Sequence, residues 1–141
     1  NQLTLLPPEI GQMQKLVIIK LYGNQLTELP PEIGQLQSLR ILGLGDNKLT
    51  TLPSEIWQLR NLQFFGLSGN QLATLPPEIG NLINLQRLGL HHNQFTVLPS
   101  EITQLTNLRG LTLCGNPLTT DDAEVEAFVM EHDSDWAAGC P

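Results

Sequence analysis

Six asparagines, Asn1, Asn24, Asn47, Asn70, Asn93 and Asn116, follow one another at intervals of 23 residues without a slip. A register held through five periods means that one structural unit is stacked again and again. Such a chain folds as a solenoid, because each short unit buries its apolar face only against its neighbours.

Read from residue 39, the unit is Leu39-x-x-Leu42-x-Leu44-x-x-Asn47-x-Leu49, followed by Leu52-Pro53-Ser54-Glu55-Ile56-x-x-Leu59. The other copies run Leu16/Ile19/Leu21/Asn24/Leu26, Leu62/Phe65/Leu67/Asn70/Leu72, Leu85/Leu88/Leu90/Asn93/Phe95 and Leu108/Leu111/Leu113/Asn116/Leu118. The Leu-x-Leu step is strand-like and places both side chains on one face. Apolar residues three apart on either side bring the chain back to the same core.

The pattern LxxLxLxxNxL resembles a leucine-rich repeat. The return segment Leu-Pro-x-Glu-Ile-x-x-Leu resembles the 23-residue class of bacterial, Roco-type and Ras-group-related repeat proteins. The likeness covers residues 1–118. It implies an α/β solenoid, a right-handed horseshoe with a short parallel sheet on the concave side and an irregular or 3-10 convex side. It also implies that the asparagines Asn24, Asn47, Asn70, Asn93 and Asn116 point inward and bond backbone groups at the turn. The physical need is general, since a buried peptide group without a ladder partner must be satisfied.

Pro7, Pro30, Pro53, Pro76 and Pro99 start the return segment, where a preset φ and a missing donor cost nothing. Glu9, Glu32, Glu55, Glu78 and Glu101 fall in its first turn, which suits the dipole. Ile10, Ile33, Ile56, Ile79 and Ile102 turn inward. The five glutamates stand one repeat apart on the outer surface, which argues against paired-carboxylate catalysis.

After Leu118 the repeat stops. Asp121-x-x-Glu124 reads as a helix start of capping-box type, and Val125, Phe128, Val129 and His132 share a helical face. A helix over 121–132 is expected to cover the last repeat, with Trp136 beside it and His132 at the surface. The division is therefore repeats over 1–118 and a capping helix and tail over 119–141. The chain starts in mid-repeat, with no cap over Leu3 and Leu6, and solenoids need polar caps. That predicts a longer protein.

The net charge is −7, with seven of the fourteen acids at residues 121–135 and five more on the return segments. Nucleic-acid binding needs a dense basic stripe, which is missing. No apolar run is long enough for membrane insertion. Two cysteines without a denser cluster favour a reducing, cytoplasmic compartment over a secreted one. A Cys114–Cys140 bridge is the alternative if the tail folds back over the last coil.

Residues alternating with the core leucines point out of the sheet. Ile18, Ile41 and Phe64 form an apolar ladder, followed by Arg87 and Gly110. The next outward column is Lys20, Gly43, Gly66, Gly89 and Thr112, where three glycines leave a trough. Then come Tyr22, Gly45, Ser68, His91 and Cys114, and beside them Gly23, Asp46, Gly69, His92 and Gly115. The partner-binding set read from these columns is Ile18, Lys20, Tyr22, Ile41, Asp46, Phe64, Arg87, His91 and His92. Tyr22, Phe64 and Arg87 are the expected anchors. Lys20, Arg40, Arg87 and Arg109 make this face basic despite the acidic total. Five strands about 4.8 Å apart make a narrow platform, suited to a peptide or a weak protein contact.

His91, His92 and Cys114 invite a metal, yet zinc wants three or four ligands. No metal and no cofactor are expected. No catalytic constellation is apparent. The reading is a non-enzymatic protein- or peptide-recognition scaffold. Its competitors are a self-assembly module forming a weak homodimer, and a targeting arm of a larger regulatory enzyme or secreted effector.

Overall fold

The computed structural model describes residues 1–134 together with Trp136 and Cys140. Five short strands, β1 (Ile18–Lys20), β2 (Ile41–Gly43), β3 (Phe64–Gly66), β4 (Arg87–Gly89) and β5 (Gly110–Thr112), make one sheet in sequence order. All pairings are parallel, and residues 23 apart stand opposite each other, as in Ile41↔Phe64 and Phe64↔Arg87. Between strands the chain returns through 3-10 helices at Pro8–Gln12, Pro31–Gln35, Ser54–Gln58, Pro77–Asn81 and Ser100–Gln104. The result is a leucine-rich-repeat solenoid with the sheet on one side and 3-10 turns on the other.

Each return begins at a proline in extended geometry, Pro7, Pro30, Pro53, Pro76 or Pro99, with a glutamate in its first turn. Ile33, Ile56, Ile79 and Ile102 are wholly buried, whereas Ile10 in the first coil is half-buried. The glutamates are less uniform than expected: Glu32, Glu55 and Glu101 are half-buried, and Glu32 Oε2 is buried without a hydrogen-bond partner.

The core is a single leucine file. Leu42, Leu44, Leu49, Leu59, Leu62, Phe65 and Leu67 have no exposed surface. At about 25 cal/mol per Å² of apolar surface, such burial supplies most of the favourable free energy. One position breaks the pattern. Gly11, Gly34 and Gly80 occupy the fourth place of their return segments, and a β-carbon at Gly34 would overlap the backbone of Glu55. Trp57 takes that place in the third coil, where it is 4% exposed and sits edge-on to Phe65 at 6.3 Å between centroids.

Asparagines stitch the coils together. Asn70 Nδ2 donates to Leu67 O (2.9 Å) and to Leu44 O of the preceding coil (3.0 Å), and Oδ1 accepts from Leu49 N (3.0 Å). Asn47, Asn93 and Asn116 repeat this arrangement. Asn24 bonds Leu21 O and Leu3 N, while Asn1 is exposed and bonds Gly23 O only through its terminal amine. A second ladder was not anticipated. Asn61, Asn84 and Asn107 each donate to a carbonyl 24 residues earlier, at 2.7–2.8 Å.

Helix α1 (Ala123–His132) covers the last coil, with Val125 and Val129 buried. Its cap lies one residue later than the sequence suggested. Asp122, not Asp121, accepts from Glu124 N and Val125 N. His132 is half-buried, stacked on Phe128, and its Nδ1 lies 2.8 Å from Phe128 O. Trp136 is partly buried against the core. The remaining tail residues, Asp135 among them, lie outside the described part.

Beyond α1, Asp133 Oδ2 accepts from Leu113 N at 2.7 Å. In earlier coils the equivalent amide finds a carbonyl of the next strand, as Leu90 N finds Thr112 O. The carboxylate thus closes the sheet edge. Cys114 and Cys140 are joined by a disulfide. This is the bridge that the sequence left open as the alternative to two free thiols. Two cysteines suffice here because the segment after α1 returns to the last strand.

Candidate functional site

Residues of β3, β4 and β5, with Tyr22, Asp46, Ser68 and His91 from the segments that follow β1 to β4, enclose a groove of about 360 Å³ on the concave face. Its floor is made of glycines. Gly66 and Gly89 stand opposite each other in β3 and β4, and Gly110 follows in β5 beside Arg87. At the Gly110 end a β-carbon would meet nothing nearer than Arg87 Cγ at 3.7 Å. A β-carbon at Gly89 would meet Ser68 Oγ at 3.0 Å and otherwise nothing nearer than 3.7 Å.

The walls are unequal. On one side stand Phe64 and Tyr22. Phe64 curls over Gly66, its Cε1 3.0 Å from where a β-carbon would be. The Tyr22 ring lies across Gly43 so closely that a β-carbon there would overlap it, and its hydroxyl points toward Gly66. The trough is therefore not bare throughout, since Tyr22 is long enough to fill its Gly43 end from the neighbouring coil. Burial holds the Tyr22 hydroxyl above its ordinary pKa.

On the other side stands His91. Its Nδ1 lies 2.8 Å from Ser68 Oγ and 3.1 Å from Thr112 Oγ1. The imidazole is thus held by hydroxyls of both adjacent coils. Burial lowers the His91 pKa below 6.5, the neighbouring His92 lowers it further, and Asp46 opposes both. Ser68 and Thr112 were visible as members of outward columns, but nothing in one sequence marked them as partners of His91.

Asp46 and His92 are not strand residues. Their column, Gly23, Asp46, Gly69, His92 and Gly115, is a left-handed turn with φ between 54° and 72°. Glycine suits that turn; Asp and His tolerate it at some cost. Asp46 reaches over Gly69 and lines the groove. His92 leans over Gly115, away from the groove, with Nδ1 4.0 Å from Cys140 Sγ.

A second hollow of about 390 Å³ adjoins the first, lined by Lys20, Ile41, Gln63 and Gln86 and sharing Tyr22, Phe64 and Arg87. The aromatic pair is therefore a ridge between two hollows. Ile18, 49% exposed, stands outside both, opposite Ile41. Of the nine residues read from sequence, the first hollow gathers Tyr22, Asp46, Phe64, Arg87 and His91, and the second adds Lys20 and Ile41.

Lys20, Arg40, Arg87 and Arg109 are exposed, and among the described residues none lies within 4.0 Å of a carboxylate. Among the same residues no group of three or more His, Cys, Asp or Glu side chains is placed to hold a metal, and Cys114 is engaged in its disulfide. No helix of the described part is long and apolar enough to cross a membrane.

Family models agree with this architecture. One described as leucine rich repeat matches residues 14–72, and one described as leucine-rich repeat region matches residues 54–123. The chain belongs to the leucine-rich-repeat family. A leucine-rich-repeat protein of Leptospira interrogans is similar at 47% identity and TM-score 0.85, over 89% of this chain and 32% of its own. An internalin of Listeria monocytogenes is similar at 28% identity and TM-score 0.78, over 94% and 38%. The Arabidopsis receptor kinase HAESA, solved with the peptide hormone IDA and a co-receptor, is similar at 32% identity and TM-score 0.75, over 82% and 20%. This leucine-rich-repeat chain thus spans about a third or less of the Leptospira and HAESA chains, and 38% of the internalin. No curated protein matches it significantly.

Proposed function

We propose that this leucine-rich-repeat chain is a non-catalytic recognition scaffold that binds a protein or peptide on its concave face. Residues 1–118 serve as the recognition body and residues 119–141 as its C-terminal cap. The observation that carries the reading is the pair of hollows flanking the Tyr22–Phe64 ridge, rimmed by cations that have no carboxylate within 4.0 Å among the described residues. An aromatic ridge beside an arginine is the residue chemistry that dominates interface energetics. The likeness to a receptor solved with a peptide supports the same class of partner.

The groove contains a serine, a histidine and an aspartate, yet the arrangement reads as structural. Ser68 and Thr112 both occupy His91 Nδ1, and Asp46 makes no hydrogen bond to the ring. That leaves His91 without the orienting acid a nucleophilic serine requires.

A pull-down comparing the wild type with a Tyr22→Ala, Phe64→Ala, Arg87→Ala triple variant tests the assignment. Loss of capture, with an unchanged circular dichroism spectrum, is the expected result. Undiminished capture would move the site to the convex side or the cap. Light scattering across concentration covers self-assembly, which would register as a concentration-dependent mass abolished by Phe64→Asp.

A further inference from the structure

This inference rests on the concave-face reading and specifies its ligand. We propose that the groove between Phe64 and His91 seats an aromatic side chain carried by an extended, acidic peptide segment.

The floor decides the shape. Gly66 and Gly89 sit side by side in register, so neither adds a side chain to the base, and the Phe64 ring borders it at the Gly66 end. Glycines in a strand permit close approach from outside. A planar ring fills a flat-bottomed slot with contact on both faces, whereas a branched aliphatic group leaves gaps. The walls match a ring as well. Phe64 and Tyr22 offer aromatic surface on one side and the His91 imidazole on the other, held by Ser68 and Thr112. Offset and edge-on aromatic contacts add about 0.5–1.5 kcal/mol beyond area burial. The volume, about 360 Å³, lies at the lower end of the range of small-ligand pockets.

The rim decides the charge. Arg87 borders both hollows, and Lys20 borders the second. Against them stands Asp46 alone in the first hollow. Cations around a low-dielectric cleft favour anionic ligands and speed their arrival. The second hollow decides for a chain over a lone ring. An extended peptide places alternate side chains on one face about 7 Å apart. One segment can therefore enter both hollows across the Tyr22–Phe64 ridge.

The test uses fluorescein-labelled nine-residue peptides of serine and glutamate with a central tryptophan. Companion peptides carry leucine in place of tryptophan, or lysines in place of the glutamates. Anisotropy is read against wild type, Arg87→Glu and Gly89→Val, each checked for fold by circular dichroism. The tryptophan–glutamate peptide is expected to bind, and each companion at least ten-fold more weakly. Arg87→Glu should weaken binding at least ten-fold, and Gly89→Val should abolish it by filling the floor. Equal binding of the leucine peptide, still blocked by Gly89→Val, would overturn the aromatic assignment and leave the concave face standing. Binding indifferent to both variants would sink the two readings together. Binding of none of the peptides at millimolar concentration would overturn this inference alone, since the pull-down above judges the face independently. Free indole matching the peptide in affinity would overturn the chain-like ligand.

Discussion

Tyr22 takes the space that a side chain at Gly43 would occupy. The two residues belong to successive coils, and the ring of one is shelved on the bare strand of the other. Aromatic reach and glycine vacancy are coupled there, and the coupling sets the height of the ridge between the two hollows.

Gly43→Ala tests that coupling. The added methyl meets the far end of a mobile ring, so the fold should survive with a loss of about 1–3 kcal/mol from overpacking. The Tyr22 ring must swing outward. Its aromatic proton shifts should move, while those of Phe95, wholly buried in another coil, stay in place.

Asn70→Ala should cost about 1–3 kcal/mol in urea denaturation, because it orphans two leucine carbonyls and the Leu49 amide in a dry interior. Asn24→Ala should cost less. Asn24 is half-buried, and its partner Leu3 is exposed. Equal losses at the two sites would show that burial does not set the value of the ladder.

His91 should titrate below 6.5 when followed by its ring proton resonances. Its folded-state pKa is lowered, so between that pKa and 6.5 the unfolded chain binds more protons. Its contribution to stability is complete above 6.5 and is lost as pH falls through the folded pKa. His91→Gln should flatten that part of the stability–pH curve. A pKa at or above 6.5 would contradict the burial argument.

Asp133→Ala should leave the Leu113 amide without a partner and fray the last strand by about 1–3 kcal/mol. Reducing the disulfide acts on the same end. With the cysteines 26 positions apart, loop entropy suggests a loss of about 3–4 kcal/mol. In a solenoid such losses stay local. Hydrogen exchange should therefore rise in β5 and α1 and remain slow in β2 and β3.

Trp57→Ala should cost about 3–5 kcal/mol, because it empties a nearly sealed site against Phe65. Thermal unfolding measures it. A loss below about 1 kcal/mol would mean that the third and fourth return segments close over the space.

By itself the sequence settled the coil. Leucine and asparagine recur at one period, and a residue that must be buried or bonded in every copy leaves a mark that a single chain displays. The inward isoleucines, the proline starts and the outward columns followed from that period. What the period could not carry is how side chains of adjacent coils lean on one another. Ser68 and Thr112 converge on one nitrogen of His91, yet they occupy different columns and are 44 residues apart in the chain. Asp46 and His92 read as strand positions, whereas a left-handed turn claims their column and sends one toward the groove and the other toward Cys140. Asp133 and Cys140 lie beyond the last repeat, where no periodicity reports their place. Repetition encodes what every coil must do alike. The site lies where the coils differ, and only packing in three dimensions decides which differences meet.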